Sequence, residues 1–435
     1  MNNICITRKS LSGEINVPGD KSISHRSIML ASLSEGISRV NGFLNGADCI
    51  STMNAFKKMG IDINCDIDRH TLIIRGAGLH GLKAPNAPLD MGNSGTTTRL
   101  ISGILSGQNF STKLYGDESL SARPMNRIIS PLLLRNANIR SERNNGCLPL
   151  IINPSILQEI NYKMPVSSAQ VKSCLLLSGL YSSGETIVRE DVLSRNHTEL
   201  MLKGMGCDIN CYYDEKNNEY VSSLTPGKML SSIDINIPSD ISSAAYFMVA
   251  GLITENSEIT IKHVNLNETR SGIIEVIKNM GGNIHIENEA KECGESVGDI
   301  TVKSSLLHGT LIDKEMIPSL IDEIPVIAVL AAFCEGETII KDASELRVKE
   351  SDRIEAISYN LKKMGCDIQP TNDGMKIIGG KPLHAIKVKT YSDHRIAMAF
   401  AIAGLSADDE TTFDDPECVK ISYPTFFDDI KKLYK

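Results

Sequence analysis

A short phrase that ends a helix and begins a strand recurs along this chain of 435 residues. The phrase Met-Gly-x-Asp/Asn-Ile closes four segments of helical pattern, and its glycines are Gly60, Gly206, Gly281 and Gly365. A fifth, degenerate copy has Ala137 in the glycine position. Glycine is the usual residue just after a helix, because it adopts positive φ without strain. The phrase therefore predicts a helix followed by a strand, repeated within an α/β chain.

The copies are 77, 69, 75 and 84 residues apart. A single helix stop of this kind is common in α/β proteins, but four close copies at near-constant spacing favour true repeats of about 70 residues. A sixth copy would fall at 423–435, where a helical pattern has no strand after it, and the strand at 3–6 would complete it. Six repeats predict two domains of three: residues 19–238, and residues 1–18 with 239–435. The chain would then cross between domains twice.

Composition excludes several classes of protein. Lys plus Arg is 45 and Asp plus Glu is 53, so the net charge is −8. This charge argues against non-specific electrostatic binding of nucleic acid. Trp is absent, and no apolar run is long enough for a membrane span or a signal peptide. Eleven scattered cysteines indicate a reducing compartment, and we expect a cytoplasmic protein. Cys207 and Cys211 have no nearby His, which disfavours a zinc site.

Basic, hydroxyl and acidic side chains gather where the pattern predicts that helices begin. Cations at a helix N-terminus oppose the helix dipole unless a bound anion lies between them. The glycine-rich stretch at 91–99 lacks the Gly-Lys-Ser/Thr ending of a P-loop, so its own signal is weak. The segments with this character are 17–26, 91–99, 117–124, 166–173, 193–198, 238–244, 321–325, 346–353 and 391–398.

Eight cations in these segments point to one kind of substrate. Parallel repeats give helix N-termini a shared direction, and two facing domains would focus positive potential into one cleft. In an acidic chain, such a cleft suits a small, highly anionic substrate with phosphate and carboxylate groups. The cations are Lys21, Arg26, Arg99, Arg123, Arg195, Lys349, Arg353 and Arg395.

Four of the motifs in combination resemble one known family. They are Pro-Gly-Asp-Lys-Ser-Ile-Ser-His-Arg at 18–26, Gly-Asn-Ser-Gly-Thr at 92–96, Arg-Val-Lys-Glu-Ser-Asp-Arg at 347–353 and Asp-His-Arg at 393–395. Together they resemble the 5-enolpyruvylshikimate-3-phosphate synthases, and the likeness covers essentially the whole chain. The resemblance implies an α/β (α+β) enolpyruvyl transferase fold of two domains. This inside-out α/β barrel has three βαβαββ repeats per domain, and its active site lies in the interdomain cleft.

The resemblance also implies a reaction. The enolpyruvyl group of phosphoenolpyruvate moves to the 5-hydroxyl of 3-phosphoshikimate by addition and elimination, and phosphate is released in the shikimate pathway. The domains close on the first substrate. The family implies no metal and no organic cofactor, small-molecule substrates only, and a monomer.

Site residues follow from the resemblance position by position. For 3-phosphoshikimate, they are Lys21, Ser22, Arg26, Ser168, Ala169, Gln170, Arg195, Asp322 and Lys349. For phosphoenolpyruvate, they are Lys21, Asn93, Gly95, Arg123, Gln170, Arg353 and Arg395, and Lys349 also matches this pocket. The catalytic residues are Lys21, Asp322 and Glu350. Asp322 could instead cap a helix, and Glu350 could simply pair with Arg347 or Arg353.

Two further positions carry expectations. Some family members have a lysine shortly before the Ser/Thr-aromatic-Pro segment near the C-terminus. Here Ile421 precedes Ser422, with Lys420 one place further back, so Lys420 is left without a role. Gly95 keeps the small residue that the family links to binding of the inhibitor glyphosate, which predicts a glyphosate-sensitive enzyme.

Two other functions compete with this interpretation. The sister enzyme that transfers enolpyruvate to UDP-N-acetylglucosamine shares the fold, but it uses a cysteine in a loop of its first domain. The corresponding stretch here, 116–125, has no cysteine. The second alternative is a non-catalytic anion-binding module. Such a module would be expected to lose a charged partner, yet Lys21, Asp322, Glu350 and Arg395 are all present.

Overall fold

The structure is a computed structural model that describes residues 4–292 and 294–435. The chain forms two compact units. The N-terminal unit comprises Gly19–Ile237 and Glu292–Glu295. The C-terminal unit comprises Met1–Pro18, Pro238–Lys291 and Ser296–Lys435.

The N-terminal unit holds seven helices and twelve strands in three sheets. The helices are α1 (Lys21–Leu33), α2 (Ala47–Lys58), α3 (Gly95–Leu105), α4 (Glu118–Ala122), α5 (Asn126–Leu134), α6 (Ala169–Gly179) and α7 (His197–Gly204). The strands are β3 (Glu35–Asn41), β4 (Asp62–Asp66), β5 (Thr71–Ala77), β6 (Leu89–Asp90), β7 (Thr112–Tyr115), β8 (Asn138–Ser141), β9 (Leu150–Asn153), β10 (Ile160–Lys163), β11 (Thr186–Glu190), β12 (Asp208–Asp214), β13 (Glu219–Thr225) and β14 (Asp234–Asn236).

The C-terminal unit is built in the same way, and two strands from the start of the chain belong to it. Its helices are α8 (Ile241–Ile253), α9 (Gly272–Asn279), α10 (Ile317–Leu320), α11 (Ile324–Phe333), α12 (Arg353–Lys363), α13 (His394–Gly404) and α14 (Phe426–Lys432), with 3-10 turns at Ser344–Val348 and Pro416–Ile421. Its strands are β1 (Cys5–Ile6), β2 (Ser12–Ile15), β15 (Glu258–Asn265), β16 (Asn283–Glu292), β17 (Glu295–Lys303), β18 (Leu311–Ile312), β19 (Gly336–Ile340), β20 (Asp367–Pro370), β21 (Met375–Gly379), β22 (Lys387–Val388) and β23 (Thr411–Phe413).

Among the described residues, five sheets have four strands and each follows one βαβαββ repeat, while the sheet β1-β23-β22 has three strands. In the sheet β6-β7-β9-β8, the first two strands are parallel and the last two pair antiparallel as a hairpin. The sheets β10-β11-β13-β12 and β18-β19-β21-β20 repeat this order. Since parallel neighbours need a crossover, one helix of each repeat lies between its first two strands. The predicted fold class is confirmed, and residues 4–292 and 294–435 form six small sheets without a closed barrel.

Three repeats borrow a strand from a distant part of the chain. β14 at the end of the N-terminal unit pairs parallel with β3 and so supplies the first strand of the first repeat. β2 pairs parallel with β15 and does the same for the fourth repeat. β1 pairs antiparallel with β23 and fills the sheet of the sixth repeat. The sequence predicted this last strand from residue 3, which lies outside the described residues.

The four predicted Met-Gly helix stops are confirmed. α2, α7, α9 and α12 each end one residue before the methionine, and the following glycines have φ between 81° and 88°. The fifth copy was placed one residue too far along. Asn136, not Ala137, takes the left-handed conformation at φ 67° after α5. Asn tolerates this region better than Ala because its short side chain bonds locally.

One helix of each repeat is buried along nearly its whole length. These helices are α1, α3 and α6 in the N-terminal unit and α8, α11 and α13 in the C-terminal unit. The second helices, such as α2 and α9, bury one face only. Within the described ranges, no helix combines the length and the apolar character needed to cross a bilayer.

Two neighbouring glycines test the helix-stop interpretation. At Gly206, φ is 87° and an added Cβ would meet only Ser231 Oγ at 3.8 Å, so Gly206→Ala should destabilise through backbone strain alone, by about 1–2 kcal/mol. Gly204 is helical and its Cβ would meet nothing within 4 Å. Gly204→Ala should therefore stabilise by about 0.5–1 kcal/mol. Urea unfolding measures both, and shifts of the same sign would contradict the assignment.

Candidate active site

Three helix N-termini converge in the N-terminal unit. Gln170 Nε2 at the start of α6 donates to Thr96 Oγ1 at the start of α3, over 3.1 Å. Arg26 Nη2 on α1 donates to Ser173 Oγ on α6, over 2.8 Å. The three dipoles therefore place partial positive charge together. We call the surrounding residues the N-terminal cluster: Lys21, Ser22, Arg26, Asn93, Gly95, Arg123, Ser168, Ala169, Gln170 and Arg195.

Lys21 is the first residue of α1 and keeps about a fifth of its side chain exposed. Its ammonium group pairs with the carboxylate of Asp48 at the start of α2. Asp20 caps the helix, accepting a hydrogen bond from the Ile23 backbone over 2.9 Å. Two carboxylates therefore stand beside the lysine at a helix start, a position where cations alone would be unfavourable.

Arg26 lies buried behind Lys21, and its hydrogen-bond partners within the described ranges are neutral groups. Its Nε donates to Thr198 Oγ1 over 2.7 Å, and its Nη1 donates to the Ser22 carbonyl over 3.0 Å. Burial lowers the pKa of Arg26 to about 10, so it remains charged at pH 7. The charges of Glu199, Asp20 and Glu295 oppose this effect of burial and raise the pKa, so Arg26 is a buried cation with carboxylates nearby.

The start of α3 brings Asn93, Gly95 and Arg123 together. Arg123 Nη2 donates to Asn93 Oδ1 over 2.7 Å, and Asn93 Nδ2 donates to Asp117 over 2.7 Å. These two bonds fix which way the amide points. An added Cβ at Gly95 would come to 3.3 Å from an Arg99 guanidinium nitrogen and 3.6 Å from one of Arg123.

The start of α6 presents Ser168, Ala169 and Gln170. Ser168 is the N-cap residue, but its hydroxyl makes no capping bond within the described chain. Gln170 is held from both sides, because Arg99 donates to its Oε1 while its Nε2 donates to Thr96. Arg195 lies half-buried on the loop before α7, close enough to Arg26 to oppose its charge.

In the C-terminal unit, the predicted residues gather around one carboxylate. Asp322 Oδ1 lies 3.4 Å from Lys349 Nζ and 3.6 Å from Arg353 Nη1, and Oδ2 lies 3.8 Å from Arg395 Nη2. Arg395 Nη1 also donates to the Asp322 carbonyl over 3.0 Å. Asp322 is not a helix cap, since Glu323 holds the N-cap position of α11. We call Asp322, Lys349, Glu350, Arg353 and Arg395 the C-terminal cluster.

Arg353 links this cluster to the start of α13. Its Nε donates to Asp393 Oδ2 over 2.9 Å, and its Nη2 donates to Glu350 Oε2 over 2.6 Å. Burial alone would lower the pKa of Arg353, but Asp393 and Glu350 raise it above its ordinary value. Burial works to raise the pKa of Asp393, and Arg353 outweighs it and holds that pKa below its usual range. The expected pair between Glu350 and Arg353 therefore exists, while Arg347 pairs with Asp352.

Sequence reasoning missed the partners that lie beneath Arg395. Glu323 is buried, accepts a hydrogen bond from Ser242 Oγ, and lies 3.8 Å from Arg395 Nη1. Arg270 Nη2 in turn donates to Ser242 Oγ over 2.6 Å. The only signal was that Glu323 and Ser242 fall in polar segments before apolar helices. Lys420 lies apart on an exposed turn, paired with Glu417.

The arrangement of elements matches a known class of structure. A solved EPSP synthase from Acinetobacter baumannii is 43% identical, with a TM-score of 0.89 over 99% of this chain and 98% of its own. The enolpyruvyl transferase NikO from Streptomyces tendae has a TM-score of 0.79 over 99% of this chain and 96% of its own. NikO is only 16% identical, so that likeness concerns the fold alone. The fold is that of the enolpyruvyl transferases.

Sequence comparison narrows the class to a family. The family described as EPSP synthase (3-phosphoshikimate 1-carboxyvinyltransferase) matches residues 6–430. A 3-phosphoshikimate 1-carboxyvinyltransferase from Oceanobacillus iheyensis is 48% identical over 98% of this chain and 97% of its own. One from Thermodesulfovibrio yellowstonii is 49% identical over the full length of both chains. The chain belongs to the EPSP synthase family of transferases.

Asp393→Asn tests the buried pair with Arg353. The amide oxygen can still accept the capping bond that the Arg395 backbone donates over 2.9 Å, but the charge is lost. We expect a loss of about 3–5 kcal/mol at pH 7, because Arg353 would keep its buried charge without this partner. Since the folded-state pKa of Asp393 is lowered, the contribution of the pair is present above about pH 4 and is lost as pH falls through that pKa.

Urea unfolding of wild type and variant at neutral and acid pH measures this effect. The difference in free energy of unfolding between the two proteins should be smaller at acid pH. Asp66→Asn is the control, because Asp66 forms an exposed pair with Arg69 at 3.7 Å. Its cost should stay within about 0.5 kcal/mol. An equal loss of unfolding free energy for Asp393→Asn at every pH would contradict the buried ion pair between Asp393 and Arg353.

Proposed function

We propose that this enzyme transfers the enolpyruvyl group of phosphoenolpyruvate to the 5-hydroxyl of 3-phosphoshikimate, with release of phosphate. The observation that carries the proposal is that one chain combines two kinds of cluster. One is a set of helix N-termini lined with cations, which suits phosphate and carboxylate groups. The other is a carboxylate held among three cations, which suits proton transfer next to a bound anion.

Both clusters serve one reaction in this proposal. The 3-phosphoshikimate phosphate takes its charge partner from Arg195, and hydroxyl and amide donors at the start of α6 complete its contacts. Ser22 and Arg26 contact the shikimate moiety. Asp322 and Lys349 face the ring hydroxyls. The full set for this substrate is Lys21, Ser22, Arg26, Ser168, Ala169, Gln170, Arg195, Asp322 and Lys349.

Phosphoenolpyruvate needs partners for both a phosphate and a carboxylate. Arg123, Arg353 and Arg395 supply guanidinium forks, which match such anions in a bidentate way. Gly95 lets the ligand approach the backbone at the start of α3. The full set for this substrate is Lys21, Asn93, Gly95, Arg123, Gln170, Arg353 and Arg395, with Lys349 at its edge.

The reaction needs a base for the hydroxyl proton and an acid for the methylene carbon. The 5-hydroxyl oxygen adds to C2 of phosphoenolpyruvate while C3 gains a proton. The tetrahedral intermediate then loses phosphate and one C3 proton, which restores the vinyl group. We assign these proton transfers to Lys21, Asp322 and Glu350. The nearby cations stabilise the negative charge that develops on the substrates.

Phosphate release from purified protein, phosphoenolpyruvate and 3-phosphoshikimate tests the proposal, with UDP-N-acetylglucosamine as the competing acceptor. Release that depends on 3-phosphoshikimate, with the enolpyruvyl ether seen by mass, is the expected result. Release with the sugar nucleotide alone would reassign the acceptor. A folded protein that binds both substrates and releases no phosphate would be a binding module.

Lys21→Ala separates an enzyme from a binding module. Loss of a group that contacts the reacting hydroxyl should lower kcat by about 10²- to 10⁴-fold, whereas a binder would only lose affinity. Steady-state phosphate release measures kcat, and calorimetry measures 3-phosphoshikimate binding. Lys113→Ala is the control, because Lys113 pairs with Glu142 at the partly exposed edge of the same unit. Unchanged kcat in Lys21→Ala would remove Lys21 from the catalytic set.

Gly95→Ala tests the proposed glyphosate sensitivity. The new Cβ would come to 3.3 Å from the guanidinium end of Arg99 and make an ordinary contact of 3.6 Å with Arg123, so a small shift of the Arg99 side chain should accommodate it. We expect the glyphosate concentration for half inhibition to rise about tenfold or more, on the order of 1.4 kcal/mol, and the KM for phosphoenolpyruvate to rise as well. Gly204→Ala serves as the glycine control. Full wild-type activity in millimolar glyphosate would contradict sensitivity.

We further propose that the enzyme works in the cytoplasm as a monomer. The ten cysteines within the described ranges form no disulfide, which suits a reducing compartment. Sedimentation of the purified protein at two concentrations measures the oligomeric state.

A further inference from the structure

A fully buried lysine lies just behind the N-terminal cluster. Lys172 is on α6, between Val171 and Ser173, and none of its surface is exposed. Its Nζ lies 2.5 Å from Glu190 Oε1 and 2.8 Å from Glu199 Oε1, and it donates to the Ser194 carbonyl over 3.0 Å. The three donors of the ammonium group are therefore all used.

Stability alone does not account for this group. Burial lowers the pKa of Lys172, but Glu199 and Glu190 outweigh it and raise the pKa, so the lysine is charged. Apolar residues of similar volume often stabilise a core as well as such an ion group does. The second oxygens of Glu190 and Glu199 are also buried, and no donor within the described ranges reaches either one. Buried carboxylate oxygens without hydrogen-bond donors are costly, so a role other than stability is needed to explain this ion group.

Lys172 and its partners lie on three segments that carry or contact residues of the N-terminal cluster. Lys172 itself is two residues after Gln170. Ser194 immediately precedes Arg195, on a loop whose first residues, 191–192, are exposed. Glu199 follows Thr198, whose hydroxyl accepts a hydrogen bond from Arg26. One ammonium group thus ties together the start of α6, which carries Gln170, the loop that carries Arg195, and the start of α7, whose Thr198 accepts a hydrogen bond from Arg26.

We propose that Lys172 is a positioning residue for 3-phosphoshikimate: it fixes the loop of Arg195 and the start of α6 so that their donors meet the substrate phosphate. This inference rests on the proposed function. Lys172 does not touch the substrate, and its own charge is more than offset by two carboxylates. The trio of Lys172, Glu190 and Glu199 has a net charge of −1, which by itself would repel an anion. Its benefit to binding is therefore geometric.

The charge balance gives the test its direction. In the variant Lys172→Met/Glu190→Gln/Glu199→Gln, the three charges are removed together, so none of these three groups stays charged without its partners. If the trio acted through its field, loss of a net negative charge would tighten 3-phosphoshikimate binding. If it positions the loop, binding must weaken. Glu199→Gln alone is the milder second variant, since it leaves the pair between Lys172 and Glu190.

The matched control is Arg135→Met. Arg135 is another fully buried cation that bonds α6, but at the opposite end, where it donates to the Leu175 carbonyl over 3.0 Å and to Ser178 Oγ over 2.7 Å. Its removal should lower the unfolding midpoint without changing substrate affinity. Comparison of the two variants separates general loosening of α6 from loss of position at the phosphate.

The experiment measures kcat, both KM values, and 3-phosphoshikimate binding by calorimetry. For the triple variant, we expect the KM and Kd for 3-phosphoshikimate to rise tenfold or more, with kcat and the KM for phosphoenolpyruvate within threefold of wild type. Glu199→Gln should shift the same two constants in the same direction by less. Arg135→Met should change neither.

Three results would overturn the inference. They are an unchanged or tighter Kd in the triple variant, an equal loss of affinity in Arg135→Met, and, if the triple variant does not fold, an unchanged Kd in Glu199→Gln. A wild type that binds no 3-phosphoshikimate would remove the proposed function itself. A wild type that binds and turns it over, with variants that do so equally well, would remove this inference alone.

Discussion

Parallel packing of buried helices is the constraint on which the site depends. In each unit, three central helices lie side by side, and their bonded N-terminal residues place like dipole ends together. Each such end carries about half a positive charge, so the arrangement is unfavourable without compensation. The acidic caps Asp20, Asp240 and Asp393 offset part of it. The cations of both clusters add to the positive charge that the caps do not offset, so the fold itself favours the binding of anionic ligands.

The arginines of the two units have different kinds of partner. In the N-terminal cluster, Arg26 donates its hydrogen bonds to hydroxyl and carbonyl groups, and carboxylates such as Glu199 act on its charge without bonding to it in the described contacts. In the C-terminal cluster, Arg353 and Arg395 already have carboxylate partners. An anion there must exchange with a carboxylate or share a cation with it. In the proposed reaction, the first environment suits the permanent charges of 3-phosphoshikimate, and the second keeps carboxylates beside the atoms that gain and lose protons.

Local patterns in the sequence predicted local structure well. Four glycine helix stops were predicted correctly, because positive φ at a helix end is a property of one residue and its neighbours. The fifth stop was displaced by one residue, since Asn136 can also adopt this conformation. Contacts between distant segments were beyond such patterns. Nothing near Lys172 in sequence shows that Glu199 and the Ser194 carbonyl reach it, because those contacts depend on how α6 and α7 pack.

The borrowed strands have a consequence for how the chain matures during synthesis. β2 leaves the ribosome before its partner β15, which begins at Glu258, more than two hundred residues later. At about 5–20 residues per second, the first strand waits roughly 10–50 seconds with its backbone unpaired. The N-terminal unit, by contrast, has all three of its sheets once β14 has emerged. The nascent chain therefore carries an unpaired β-strand ahead of a unit that can already fold, which makes this leading segment a natural target for chaperones.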